Sequence, residues 1–207
     1  MGVRTKIRFV DAGVLDEIVA EDNDGDITDE TDVMDEVQEA ADEAGRLLGL
    51  GKRRIEAVFA HNRLKNKKAA WKNDAVICRY FGDSDVTRRQ MRLVRRRLQR
   101  AHRRTTEGRL RIRLRSQSKA SKATTRGRNS GGVATPRIFQ LYPRWFAATE
   151  RERAGILAHE LFHDWSRDHD VTGDPYSIDN VLALARDEPK KARRNPENFE
   201  QFILALA

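Results

Sequence analysis

Apolar positions recur at helical spacing in three long stretches of the chain. From Asp32 to Leu48, the residues Val33, Val37, Ala40, Ala41, Ala44 and Leu48 form a three–four stripe, and Gly49 and Gly51 predict its end. A second helix is expected from about Arg53 into the lysine-rich stretch before Trp71, turning Ile55, Val58 and Phe59 inward. Ala75 to Phe81 is a short apolar run closed by Gly82. A third helix, Asp85 to about Arg104, buries Val86, Met91, Val94, Leu98 and Ala101 and leaves its other faces to arginine. The period then changes from helical to two. Leu110 to Arg115 alternates strictly, which predicts a strand with aliphatic side chains on one face and guanidinium groups on the other. A short strand is expected at 137–141, after a loop rich in Ser, Lys, Thr and Gly over 116–132. Helices at 178–186 and 198–206 follow, separated by Pro189 and Pro196. Residues 1–30 show neither period and are expected to be an irregular, acidic, flexible appendage to one domain over 31–207. The class is α+β and rich in helix.

Charge sharpens this picture. The net charge of +8 conceals an asymmetry: Asp11 to Glu43 contains no Lys or Arg, while Val86 to Arg128 contains a single acid, Glu107. Such a basic stretch suits a nucleic acid, an anionic membrane surface or the acidic segment of its own chain. Solvated arginine is the favoured reading of the 110–115 strand, because no aromatic residue is interleaved to stack on bases. Cys78 stands alone, so no internal disulfide forms. No apolar run reaches the length of a membrane span, and the first ten residues lack the apolar core of a secretory signal. A cytoplasmic location, or export by a route that needs no signal peptide, is expected.

Candidate chemistry is concentrated in Ala158-His159-Glu160-Leu161-Phe162-His163. Two histidines four positions apart leave the same side of a helix, a separation that suits two ligands of one Zn²⁺. Glu160 lies about 100° round the helix from His159, placed to reach a water at the metal without binding the metal itself. A third ligand must come from downstream. His169 follows His159 by ten residues but lacks the glycine and the methionine turn of the long three-histidine motif; Glu188 and Glu197 are distant carboxylates; Asp174 lies in a loop able to fold back.

Around these residues the chain resembles the aspzincins, the deuterolysin and peptidyl-lysine metalloendopeptidase family. The likeness rests on His159-Glu160-x-x-His163, Thr172-Gly173-Asp174, Tyr176-Ser177, the alanine-containing run Leu182 to Ala185, and Asn195-Pro196-Glu197-Asn198-Phe199. Upstream, Trp71, Tyr80-Phe81-Gly82 and Ile138 to Pro143 fall in the family's order. The resemblance implies a helix-rich, zincin-like fold with a small antiparallel or mixed sheet beside the zinc helix. It implies a zinc endopeptidase acting on protein or peptide, with Zn²⁺ held by His159, His163 and Asp174, the last with His169 as alternative. Glu160 would be the general base, and Tyr176 would donate to the oxyanion. The strand near Ile138 would pair with an extended substrate.

Two other readings remain. One is a nucleic-acid-binding protein, or a protease of DNA-bound proteins, working through residues 86–128. The other is a toxin or effector whose acidic N-terminal segment is a docking element.

Overall fold

The apolar stripe that begins at Val33 does not stop at the glycines. In the computed structural model, which describes residues 2–107, 109–119, 132–135, 138–163 and 177–207, one helix spans Glu30–Phe59 and contains Gly45, Gly49 and Gly51. A Cβ on Gly51 would stand 2.8 Å from Ile203 Cγ2 and 3.1 Å from Leu98 Cδ2; one on Gly45 would stand 2.8 Å from Val3 Cγ2. The glycines let these side chains approach the helix backbone, and that contact outweighs a propensity cost of about 1 kcal/mol each. The expected break between residues 48 and 53 is therefore absent.

The chain folds as two compact units interleaved in sequence, residues 1–45 with 103–164 and residues 46–102 with 165–207. The first unit is built on a four-stranded mixed sheet of β1 (Arg4–Phe9), β2 (Arg109–Leu114), β3 (Gly132–Thr135) and β4 (Ile138–Leu141), in the order β1-β2-β4-β3. β1, β2 and β4 run parallel, and β3 is antiparallel to β4. Leu110, Ile112, Leu114, Phe139 and Leu141 are buried on the inner face. β1 and the helix α1 (Val14–Glu21) occupy the region expected to be irregular. Half the side chains of β1 are charged, so its alternation is faint, and its pairing partner lies a hundred residues away: Arg4 faces Arg109 and Phe9 faces Leu114. Gln38, on the helix α2 that spans Glu30–Phe59, accepts from Thr5 Oγ1 at 2.7 Å and donates to Val3 O at 2.7 Å. Part of the acidic segment does meet the basic stretch: Asp11 accepts from Arg115 Nε and Ser116 N, and Glu17 from Gln117 N.

The second unit is helical. α2 ends at Phe59 and α3 (Leu64–Asn73) begins anew, so the single helix expected toward Trp71 is two. Asp74 caps α4 (Ala75–Phe81), accepting from Ile77 N at 3.0 Å, and also takes Arg54 at 2.8 Å. Gly82 ends α4 at φ 69°. The arginine helix α5 (Arg88–Thr106) contributes most of its length here. α7 (Ile178–Asp187), α8 (Pro189–Ala192) and α9 (Pro196–Leu204) complete the unit, while α6 (Glu150–His163) belongs to the first. The fully buried Arg193 donates to Phe81 O, Gly82 O and Ser84 O at 2.8, 3.1 and 2.7 Å, which satisfies carbonyls left open at the end of α4. Asn198, also fully buried, donates to Tyr80 O at 2.9 Å and Val181 O at 3.0 Å, joining α9 to α4 and α7. Phe199 packs against Phe81 with ring centroids 4.8 Å apart and planes inclined at 57°.

Glu56 on α2 accepts from Arg95 and Gln99 of α5 at 2.9 and 2.6 Å. Burial alone would raise its carboxyl, but these bonds and the neighbouring cations outweigh burial and hold it below its ordinary value. Its stabilising effect is therefore present at neutral pH and lost as pH falls through the lowered value. Glu56→Gln is expected to cost about 0.5–1 kcal/mol at pH 7 in urea denaturation, with the difference from the parent shrinking as the solution is acidified through the lowered Glu56 value. In the same assay Gly51→Ala, a change that strengthens an ordinary exposed helix, is expected to destabilise by about 1–2 kcal/mol, because the added methyl overpacks Ile203 and Leu98.

Candidate metal centre

The helix that carries the histidines, α6 (Glu150–His163), begins with a capping box. Thr149 N and Thr149 Oγ1 donate to Glu152 Oε2 at 2.9 and 2.8 Å, and Glu152 N returns a longer bond to Thr149 Oγ1. From Arg153 to Phe162 every residue is buried. A helix buried on all sides must satisfy each of its polar side chains internally. Arg153 meets Glu36 at 2.7 Å and lies over the Trp145 ring. Burial raises the Glu36 carboxyl, and Arg153 pulls it back only in part.

His159 stands six residues beyond Arg153, and His163 about one turn further on. His159 is fully buried, Glu160 is buried, and His163 is half-buried at the helix end. The imidazoles converge: Nε2 of His159 lies 2.7 Å from Nε2 of His163, with ring centroids 4.6 Å apart and planes inclined at 54°. Two nitrogen donors aimed at one point, on a rigid helix and next to a carboxylate, form a donor set suited to Zn²⁺. At a bond length of about 2.0–2.1 Å to each nitrogen, a tetrahedral ion would part them to roughly 3.3 Å, a small opening of the rings. Asp174, His169 and Tyr176 lie outside the described residues.

The remaining carboxylates weighed as ligands differ. Glu188 is exposed at the end of α7 and paired with Lys191. Glu197 is buried on α9, one turn from the buried Glu200, with carboxylate oxygens within 4.8 Å of each other. Sequence reasoning considered Glu197 but passed over Glu200. Their spacing of three, inside a run whose Phe199, Phe202 and Ile203 are all buried, was the available signal.

The fold resembles a zinc peptidase. The solved structure in question is a zinc peptidase from Grifola frondosa, similar with a TM-score of 0.60 at 16% identity; the likeness covers 86% of this chain and 96% of that one. No protein-family model matches the chain, and no curated protein matches it in sequence. The helix-rich α+β architecture with a small mixed sheet is thus a fold shared with that structure, and α6 packs beside β3 of the sheet. The expected substrate strand near Ile138 needs correction. β4 has β2 on one side and β3 on the other, so no peptide can pair with it; the sheet's open edges are β1 and β3 among the described residues. Among the described residues no helix is long and apolar enough to cross a membrane. Cys78 is half-buried, its thiol pushed up chiefly by burial and bonded to Trp71 O at 3.3 Å, which suits packing rather than nucleophilic chemistry.

Purified protein analysed by inductively coupled plasma mass spectrometry is expected to carry about one zinc per chain. His159→Ala and His163→Ala are each expected to abolish it, whereas Glu160→Gln should retain it; undiminished zinc in either histidine variant would exclude the pair as ligands.

Proposed function

We propose that this protein is a zinc-dependent endopeptidase of aspzincin type. The observation that carries the reading is the convergence of His159 and His163 on a buried helix, within a fold shared with a zinc peptidase. His159 and His163 would hold the metal with Asp174, for which His169 is the alternative. Zinc, when bound, polarises the scissile carbonyl and lowers the pKa of water to about 7. Glu160 takes the proton of the attacking water and returns it to the leaving amine. Tyr176 donates a hydrogen bond to the oxyanion as charge develops there. The extended substrate adds to the outer edge of β3, the sheet strand beside α6, so that backbone hydrogen bonds hold it in register whatever its side chains.

Cleavage of casein, followed by release of soluble peptide, is expected to stop with a chelator and to return with added zinc. Glu160→Gln should lower kcat by roughly 10²–10⁴-fold. Asp174→Ala is expected to lose both zinc and activity, His169→Ala and Glu197→Gln neither. Inactivity of the zinc-loaded protein on casein and on a broad peptide library would sink the proposal.

A further inference from the structure

The sheet of the first unit presents an outer face of opposed like charges. β1 and β2 are parallel and in register, so Lys6 stands opposite Arg111 and Arg8 opposite Arg113, with Arg4 opposite Arg109 one step earlier. Lys6, Arg8, Arg111 and Arg113 are exposed and, with Ile112 and Ile138, line a shallow depression. Directly opposed like charges on neighbouring strands weaken a sheet. Here the opposition is repeated along the ladder. Arg115, on the same face, is engaged by Asp11. None of Arg4, Lys6, Arg8, Arg111 and Arg113 has an acidic partner within ion-pair distance among the described residues. The chain from Gly108 to Thr149 contains no Asp or Glu, so β2 and the segments that follow it through β4 bring no counter-charge of their own.

We propose that this face binds the phosphate backbone of a nucleic-acid duplex, without reading its sequence. Strand geometry sets the cations about 4.8 Å apart across the ladder and about 6.6 Å apart along it. A regular array of like charge on a flat face complements a polymer of regularly repeated opposite charge. An acidic protein would be favoured by apolar pockets between the cations, and a membrane by exposed aromatic or long apolar side chains at the rim. The face offers one half-buried isoleucine, Ile138, and the inward-facing Ile112. It offers no exposed aromatic ring among the described residues, which disfavours single strands that bind by base stacking. Many arginines of α5, by contrast, serve packing: Arg95 pairs with Glu56 and covers the Phe59 ring, and Arg97 is buried and donates to Arg194 O.

The test is fluorescence anisotropy of the full chain with a 30-base-pair DNA of arbitrary sequence, titrated at several salt concentrations. With five phosphate contacts, log K is expected to fall with log salt at a slope of about −4.5. Arg8→Gln with Arg113→Gln should reduce that slope by about 2 and weaken binding roughly 60-fold at 0.1 M salt. The neighbouring pair, Lys6→Gln with Arg111→Gln, should do the same. Both double variants are expected to melt at or above the parent's Tm, since each removes an opposed pair of like charges. Arg88→Gln with Arg92→Gln on α5 should leave affinity and slope unchanged. The proposal is overturned by absence of DNA binding at 50 mM salt, by loss of binding in the α5 variant alone, or by weakening that follows a lowered Tm in only one sheet variant. Equal or tighter binding to poly-glutamate or to phosphatidylserine vesicles would overturn it as well.

Discussion

The burial of α6 along ten consecutive residues is the constraint from which the candidate site follows. A helix with no solvent face cannot leave a polar side chain to water, so each one in it is fastened by a neighbour or turned toward a site. Arg153 is fastened, by Glu36 and the Trp145 ring. His159 and His163 are turned toward each other at 2.7 Å, which no exposed helix would enforce on two imidazoles with free rotamers. The capping box at Thr149 and Glu152 anchors the start of the same helix, so the histidines stand about three and four turns beyond Thr149.

Cations are used in three physically different ways across the two units. Arg193 is a fully buried donor whose fork satisfies three carbonyls at 3.1 Å or less, and the guanidinium is depressed by that burial without losing its role. Arg95 lies in a half-exposed pair with Glu56, where packing over Phe59 adds to a modest Coulomb attraction. The cations of β1 and β2 do neither. Their alternation puts Arg4, Lys6, Arg8, Arg111 and Arg113 on the solvent side, and parallel register sets the strands' cations opposite one another. Residue type alone does not separate these uses; the period of the element and the identity of its neighbour do.

Most of the helices, strand β2, strand β4 and the histidine pair were legible from periodicity, because burial of one face is a local property that leaves its mark every two or every three to four residues. Three features were not. β1 carries charge on alternate positions over only six residues, so its signal is complete only when Leu110 to Leu114 lie beside it. Gly49 and Gly51 look like stops, yet each sits where a side chain from elsewhere in the chain, His102 or Ile203, occupies the space a Cβ would take. Glu197 and Glu200 look like surface acids until Phe199, Phe202 and Ile203 carry their helix into the interior.

By itself, then, the sequence determined the helix-rich α+β class, the spacing of His159, Glu160 and His163, and the separation of acidic from basic segments. All of these are written in residue type and local period. Tertiary structure decided that α2 continues through its glycines, that β4 is shielded on both edges, that the two imidazoles converge, and that the cations of β1 meet those of β2. Each depends on which distant residue is brought alongside, and no local period encodes that.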